Sequence, residues 1–340
     1  MRVNIRWVWI TTIVVMSAGV TNVVYAQVNP RDVPIVTQPQ QRFDSGQDVQ
    51  PIFEGWTRAD DGSYGFYFGY LNRNYREQPS VEIGSANYFS PGAADRGQPT
   101  HFYPRTQRYQ FKVEMPDGTG TSIEDGIVWH LTVNGNEQFA YGWLQPEWEI
   151  DENTITSNLR SGFGRSVDQI YLNEYPVIAV SASATTVSVG HGVMLTAEIT
   201  DDALPTELPP RKPRSRLPTL IPPDGQAKNP DNVRWYQKPR PPRNGLSVLW
   251  VVYRGPAGAD IEPSGFQRSF EEQEVETEID GAATTSTSTD TTPTHIAGDG
   301  FTSATFETTV TFDEPGLYTV RAWASDAMFQ VPADLMIVVQ

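Results

Sequence analysis

The segment EPGLYTVRAWASD, residues 314–326, contains the pattern that decides the fold of the second half of the chain. Pro315-Gly316 predicts a turn, because Pro fixes φ and Gly tolerates positive φ. A tyrosine two residues later predicts a tyrosine corner, whose ring packs in the core of a β-sandwich while its hydroxyl bonds back to the turn. The period-two spacing of a strand with one buried face then follows, at Tyr318, Val320, Ala322 and Ala324.

The surrounding sequence predicts the other strands of the same sandwich. They are Val177–Ser183 and Thr186–Val189 as a split first strand, then Val193–Ile199, Leu246–Tyr253, Phe306–Phe312 and Leu335–Val339. In Leu246–Tyr253 both faces are apolar, with Trp250 on one face and Tyr253 on the other. A surface sheet normally has one polar face, so we expect either the first domain or the Trp235-Tyr236 segment to cover this strand.

Residues 176–340 resemble an immunoglobulin-like sandwich of the bacterial extracellular kind, close to the polycystic-kidney-disease-type repeats. The resemblance rests on Val193-x-Leu195-x-Ala197, on Trp250 and on Gly316-x-Tyr318-x-Val320. It implies a disulfide-free sandwich with Trp250 between its sheets, because Ala197 and Val320 stand where an antibody domain has its two cysteines. A different β-sandwich is the alternative, and neither fold carries chemistry of its own.

Two insertions interrupt this pattern. Residues 204–244 are rich in Pro and in Lys and Arg, and we interpret them as an extended solvated loop, with a docking site for an anionic polymer as the alternative. Residues 271–300 are first acidic and then rich in Thr and Ser. They have almost no apolar side chains to bury, which predicts disorder.

The first half of the chain predicts a second β-sandwich domain over residues 49–172. Its candidate strands are Gln50–Thr57, Tyr64–Leu71, Tyr109–Met115 and Ile127–Val133, and Asn134-Gly135 predicts a hairpin that returns with Phe139, Tyr141 and Trp143 facing inward. The sequence as a whole thus predicts an all-β protein of two β-sandwich domains, the second immunoglobulin-like, with long disordered or irregular insertions.

The N-terminus predicts export. Arg2 and Arg6 precede the apolar run Trp7–Val20, and Val24-Tyr25-Ala26 offers a cleavage site before Gln27, the layout of a secretory signal peptide over residues 1–26. An uncleaved membrane anchor is the alternative, but the run is shorter than the roughly 20 residues that span a bilayer. Residues 27–48 predict a flexible leader. We therefore expect a periplasmic or extracellular protein that does not insert into a membrane.

Composition limits the partners. The chain has a formal net charge of −16, which disfavours nucleic acid because such binding depends on Lys and Arg neutralising phosphates. It contains no cysteine, so its folded parts must be held by ordinary hydrophobic cores. We predict no cofactor and no metal ligands, and an unidentified protein or glycan as the partner.

Catalytic motifs are missing from the sequence. It has no Gly-x-Ser-x-Gly elbow, no His-Glu-x-x-His and no phosphate-binding glycine loop, and its histidines are His101, His130, His191 and His295. His130 falls on the polar face of a predicted strand, where we interpret it as solvated. We expect a protein that is not an enzyme.

The candidate site lies in the connection FSPGAADRGQPTHFYPR, residues 89–105, which concentrates the predicted binding residues Asp95, Arg96, His101 and Arg105. A connection this long in a compact domain is usually functional when it is ordered, and Arg suits carboxylate, sulfate and sugar hydroxyl groups. The alternative is that Asp95 and Arg96 pair with each other and only fix the shape of the loop. Together with FEGW (53–56) and FGYLNRN (68–74), the connection resembles a group of secreted bacterial proteins of unknown function, which implies no activity.

Three functions remain open at this point. The first is a non-catalytic extracellular or periplasmic binding or interaction protein, which we prefer. The second is a carbohydrate-binding protein that uses Trp56, Trp143 and Trp148 as stacking platforms, and the third is a hydrolase with an unrecognised site.

Overall fold

The computed structural model of the protein describes residues 43–159, 161, 164–209, 241–269, 295–297 and 299–340. These residues belong to one compact unit, Arg42–Gln340. The predicted signal peptide, most of the predicted leader and the larger parts of both insertions lie outside the described residues. The domain boundaries 49–172 and 176–340 stay a prediction.

The first half of this unit is a six-stranded antiparallel sandwich. One sheet has the order β1-β2-β4 and the other β3-β5-β6. The strands are β1 Val49–Arg58, β2 Tyr64–Asn72, β3 Asn87–Ser90, β4 Arg105–Met115, β5 Ile127–Val133 and β6 Asn136–Gly142. Each predicted strand of this half is present, and β3 is an addition that the sequence pattern did not predict.

Aromatic rings dominate the core between these two sheets. Phe66, Phe68 and Trp129 are fully buried there, and Phe68 packs edge-on against Trp129 with ring centroids 6.2 Å apart. The predicted Asn134-Gly135 hairpin is confirmed, since both residues have positive φ and Val133 pairs with Asn136.

The predicted register of β6 is wrong. Ala140 and Gly142 face the core, whereas Phe139 and Tyr141 are exposed on the outer face. The large rings of the opposite sheet fill the space here, because a Cβ on Gly142 would lie 2.9 Å from the Phe68 ring. Small residues are therefore required on the inner side of β6.

Short helices connect the two halves. They are a 3-10 helix, Pro146–Trp148, and the α-helices α1 Glu152–Leu159 and α2 Val167–Leu172. Asp151 caps α1, since its Oδ1 accepts a hydrogen bond of 2.7 Å from the Thr154 backbone N–H. The sequence pattern did not predict these helices.

The second half is a sandwich of two larger sheets. One has the order β11-β14-β9-β7, with β13 paired to β14, and the other β12-β10-β15-β16-β8. The strands are β7 Val177–Ala182, β8 Thr186–Val187, β9 Gly192–Thr200, β10 Ser247–Arg254, β11 Ala259–Glu262, β12 Gln267–Arg268, β13 His295–Ala297, β14 Ser303–Phe312, β15 Gly316–Ser325 and β16 Gln330–Val339. This order, with the split first strand shared between the sheets, is that of an immunoglobulin-like sandwich. The all-β, two-sandwich fold is confirmed.

The tyrosine corner is also confirmed. Tyr318 is fully buried, and its hydroxyl donates a 3.0 Å hydrogen bond to the Glu314 carbonyl. Gly255 makes room for it, because a Cβ at that position would clash with the Tyr318 ring. Ala197, Val320 and Trp250 pack in the same core between the sheets, where the resemblance placed them.

The ends of the first insertion are held together. Leu208 N–H donates to Asn244 Oδ1 at 2.8 Å, and Asn244 Nδ2 donates to the Leu208 carbonyl at 3.1 Å. The predicted solvated state of 204–244 and the predicted disorder of 271–300 concern residues that lie mostly outside the described ranges, so both stay predictions.

Candidate functional site

The predicted loop, residues 89–105, joins the two sandwiches. Asp95 forms a two-pronged ion pair with Arg254 at the end of β10, at 2.7 and 2.9 Å. These hydrogen bonds from Arg254 hold the pKa of the Asp95 carboxyl below its usual value. Asp95 therefore pairs across the junction of the sandwiches and not with Arg96.

Arg96 and Arg105 have partners within the first sandwich. Arg96 donates from its backbone N–H to Gln98 Oε1 at 2.8 Å and from its guanidinium to the Pro91 carbonyl at 3.0 Å. Arg105 donates to the Arg73 carbonyl at 3.0 Å, and its guanidinium lies 4.4 Å from the centroid of the Tyr75 ring. Both guanidinium groups thus help to shape the loop.

His101, near the end of the loop, is 2 % exposed. Its Nδ1 forms a hydrogen bond of 2.9 Å with Ser80 Oγ, and its Nε2 one of 3.0 Å with Gln78 Oε1. Burial lowers the pKa of His101 to about 4, so the ring is neutral at neutral pH. The four predicted binding residues therefore do not converge on one open pocket, and their role in ligand binding stays a prediction.

The loop backbone continues the junction. The register between β10 and β15 shifts between Val252 and Arg254, so Tyr253 is skipped in the pairing. The Tyr253 carbonyl instead accepts hydrogen bonds from the backbone N–H groups of Thr100, at 3.1 Å, and His101, at 3.3 Å. The Val252 N–H donates to the hydroxyl of Tyr103 at 2.9 Å.

Arg321 closes the same junction from β15. Its guanidinium is two-pronged on Asp334, at 2.7 and 2.8 Å, and donates to the Gln110 carbonyl of β4 at 2.8 Å. It also lies 3.3 Å from the centroid of the Tyr253 ring. The first sandwich thus covers the Tyr253 end of the outer face of β10, which supports the docking form of our expectation. Trp235-Tyr236, the alternative cover, lies outside the described residues.

The other half of that face is covered from within the second sandwich. Leu249 packs with Phe266 and Trp323, and Val251 lies against this small cluster. Both ends of the two-faced strand are therefore buried.

An open surface lies on the outer face of β3-β5-β6. Strand pairing aligns Tyr88 with His130 and His130 with Phe139, so one row of rings crosses all three strands. Tyr88 and His130 stack in parallel with centroids 4.3 Å apart, and Phe139 meets His130 edge-on at 5.1 Å. Tyr141 extends the row along β6, 6.4 Å from Phe139. We call these four side chains the aromatic face.

Polar groups border the aromatic face. Ser90 Oγ forms a hydrogen bond of 2.8 Å with His130 Nε2, which fixes the ring. Thr132 of β5 lies opposite Glu137 of β6 at one end of the face. The Glu137 carboxylate lies 3.6 Å from His130 Nδ1. The interpretation of His130 as solvated is wrong, because its ring is held between Tyr88, Ser90 and Phe139.

The predicted tryptophan platforms lie elsewhere. Trp56 is 3 % exposed, belongs to the core, and donates from Nε1 to the Gln145 carbonyl at 2.8 Å. Trp148 is 40 % exposed but stacks on Phe53 with centroids 5.9 Å apart. Trp143 is half-buried. The outward register of β6, combined with the alternation in β5, is the sequence signal that could have identified the aromatic face.

Within the described ranges, no group of three or more His, Asp or Glu side chains is arranged to hold a metal ion. In the same part of the chain, no helix has both the length and the apolar character needed to cross a membrane.

Neither a protein-family model nor a curated protein matches the sequence. Among solved structures, the D00-D0 domain of intimin is similar at 10 % identity and a TM-score of 0.22, covering 86 % of this chain and 100 % of that one. The Yersinia pseudotuberculosis adhesin InvE is similar at 8 % identity and a TM-score of 0.21, covering 86 % of this chain and 59 % of that one. Domains 4 and 5 of the S-layer protein SbsC are similar at 8 % identity and a TM-score of 0.18, covering 86 % and 98 %. These TM-scores are low, so the fold assignment rests on the strand pairing described above.

Proposed function

We propose that this is an exported, non-catalytic binding protein whose ligand binds to the aromatic face. In this proposal the second sandwich acts as the support. Its Arg254 and Arg321 fix the first sandwich through Asp95 and the Gln110 carbonyl.

The observation that carries the proposal is the exposure of large rings on an ordered sheet. Phe139 is 39 % and Tyr141 is 50 % exposed, although both belong to a regular strand whose inner side packs in the core. Contiguous exposed apolar surface of this kind commonly marks a place of interaction. On the other sheet of the same sandwich, the outer face of β4 is in contact with α1, where Asn158 donates to the Tyr109 hydroxyl at 2.8 Å, and with Arg321, so we propose that the ligand binds to the aromatic face.

Surface retention tests this function. The purified protein is passed over immobilised extracellular proteins and polysaccharides, alongside a Phe139→Ser/Tyr141→Ser variant. We expect the variant to lose retention. A matched control is Leu317→Ser/Met336→Ser, which removes two exposed apolar side chains from the second sandwich and should be retained like the wild type.

Two outcomes would contradict the proposal. Equal retention of the aromatic-face variant and the wild type would remove the site. Mass-spectrometric detection of a cleaved product after incubation with the retained ligand would show catalysis, which is the alternative of a hydrolase.

The location is a part of the same proposal. We propose cleavage near Ala26-Gln27 and a periplasmic or extracellular mature protein. Mass determination of the N-terminal peptide from fractionated cells and medium tests both points, and a peptide that retains residues 1–26 would contradict them.

A further inference from the structure

We infer that the ligand of the aromatic face is a neutral polysaccharide, whose sugar rings contact the exposed rings of Phe139 and Tyr141. This inference rests on the proposed function and names the class of ligand. It is argued from the shape, the charge and the rigidity of the face.

The shape of the face suits a chain of sugar rings. Phe139 is 39 % and Tyr141 is 50 % exposed, and their ring centroids lie 6.4 Å apart along β6. Tyr88 and His130 stack face to face, and His130 supports Phe139 from the side. Two exposed rings at this separation extend beyond one sugar ring, which favours a polymer over a monosaccharide.

The aromatic face combines apolar and polar groups in the way that a sugar ring does. A pyranose ring has an apolar C–H face and a rim of hydroxyl groups, so it needs a flat apolar surface bordered by hydrogen-bonding groups. The aromatic face provides the rings, and the Tyr141 hydroxyl, Thr132 and Glu137 provide the border. The aliphatic side chain of this outer surface is that of Val128, which pairs with Tyr141. Protein-docking surfaces, in contrast, are enriched in Met and Arg besides aromatic residues.

The charge of the three strands disfavours anionic polymers. The strands β3, β5 and β6 contain no Lys or Arg, and Glu137 is their acidic residue. A sulfated or carboxylated chain would meet this carboxylate without a cation to compensate it. A neutral chain meets no such repulsion, and its hydroxyl groups can donate to Glu137.

The rings are already in place before a ligand arrives. His130 is fixed by Ser90 Oγ and by parallel stacking on Tyr88, and Phe139 leans edge-on against it. A preorganised site loses little side-chain entropy on binding. Weak stacking contacts can therefore add up along a polymer.

Affinity electrophoresis tests the inference on the full chain. The protein migrates through gels that contain either neutral polysaccharides (β-glucan, xyloglucan, mannan) or anionic ones (alginate, heparin). We expect retardation in at least one neutral gel and none in the anionic gels. Tyr141→Ala and Phe139→Ala should each weaken the binding about tenfold, whereas Tyr141→Phe keeps the ring and should stay within a few-fold.

Trp148→Ala is the matched control, since Trp148 is a similarly exposed ring outside the aromatic face. A loss of retardation in Trp148→Ala with none in Tyr141→Ala would overturn the inference. Circular dichroism confirms that each variant is folded.

The remaining outcomes separate the inference from the function that it rests on. Retardation by anionic gels alone, or by none of the gels while retention on a protein surface depends on Phe139 and Tyr141, overturns the neutral polysaccharide but leaves the binding function. Binding that is unaffected by every aromatic-face variant overturns both.

Discussion

The outer faces of β10 and β6 carry similar aromatic side chains in opposite surroundings. Tyr253 on β10 is 4 % exposed, whereas Tyr141 on β6 is 50 % exposed. Around Tyr253, Arg254 and Arg321 reach partners in the first sandwich. Near Tyr141, Ser90 and Glu137 lie against His130 of the same sheet. An outward aromatic residue is thus covered where flanking charges can bind a second layer, and it stays open where they cannot.

The largest expected effect on stability comes from truncating buried rings on the two sides of the sheet that contains β10. Trp250→Ala and Tyr318→Ala, on the inner side, and Tyr253→Ala, on the outer side, should each lower the free energy of unfolding by about 3–5 kcal/mol, because each truncates a buried ring. Urea denaturation followed by circular dichroism measures this. An unchanged stability of Trp250→Ala would remove the sandwich assignment, and a loss below about 1 kcal/mol for Tyr253→Ala would mean that the cover is loose.

The sequence predicted the second sandwich better than the first for a physical reason. Strands such as β9 and β14 alternate regularly, and Pro315-Gly316 with Tyr318 specifies a turn and a hydrogen bond only four residues apart. The register of β6 was predicted wrongly because aromatic residues are usually buried, whereas here Gly142 is needed opposite the rings of Phe66 and Phe68.

The candidate site was less accessible to sequence reasoning. Asp95 and Arg254 are 159 residues apart, and no local pattern connects them. The aromatic face likewise depends on the register between three strands, which alternation within each strand does not determine. Helix α1 is polar and α2 has only six residues, so neither shows the apolar periodicity that predicts longer helices.

Removing Arg321 tests the charges that hold the cover. Arg321 is 8 % exposed, donates hydrogen bonds to Asp334 and to the Gln110 carbonyl, and lies over the Tyr253 ring. Arg321→Met keeps much of the volume but leaves these acceptors without their donor, so we expect a loss of about 1–3 kcal/mol in the free energy of unfolding. Arg76→Met, which breaks an exposed pair with Asp44, is the control and should change stability by less than about 0.5 kcal/mol.

The free energy of unfolding should depend on pH because several titratable groups are buried or half-buried. Burial, together with the nearby Asp326 and Asp202, raises the pKa of Asp201 from 3.8 to about 7. Between these two pKa values the folded state holds a proton that the unfolded state has lost. The contribution of Asp201 to the free energy of unfolding is therefore fully present below about pH 4 and is lost as pH rises to about 7. Asp326, whose pKa burial raises to about 6, acts in the same direction. His101, with a lowered pKa, acts in the opposite direction below about pH 6.5.

Asp201→Asn isolates the first of these contributions, since the other two groups are common to both proteins. Relative to the wild type, the variant should gain about 1 kcal/mol in the free energy of unfolding between about pH 5.5 and pH 8, after allowance for solvent screening of a half-buried carboxyl. Urea midpoints at the two pH values measure the gain. Parallel pH profiles of the two proteins would show that Asp201 titrates normally.

The smallest expected effect lies on the aromatic face, and it decides whether the comparison holds. Tyr141→Ala and Phe139→Ala should each change the free energy of unfolding by less than about 0.5 kcal/mol, because exposed side chains lose few contacts on truncation. The same urea series that contains Tyr253→Ala measures them. If Tyr141→Ala cost as much as Tyr253→Ala, another part of the chain would have to cover β6 in solution, and the platform would not be open to a polysaccharide. A small cost in stability combined with a large loss in binding is the result that separates a binding surface from a second core.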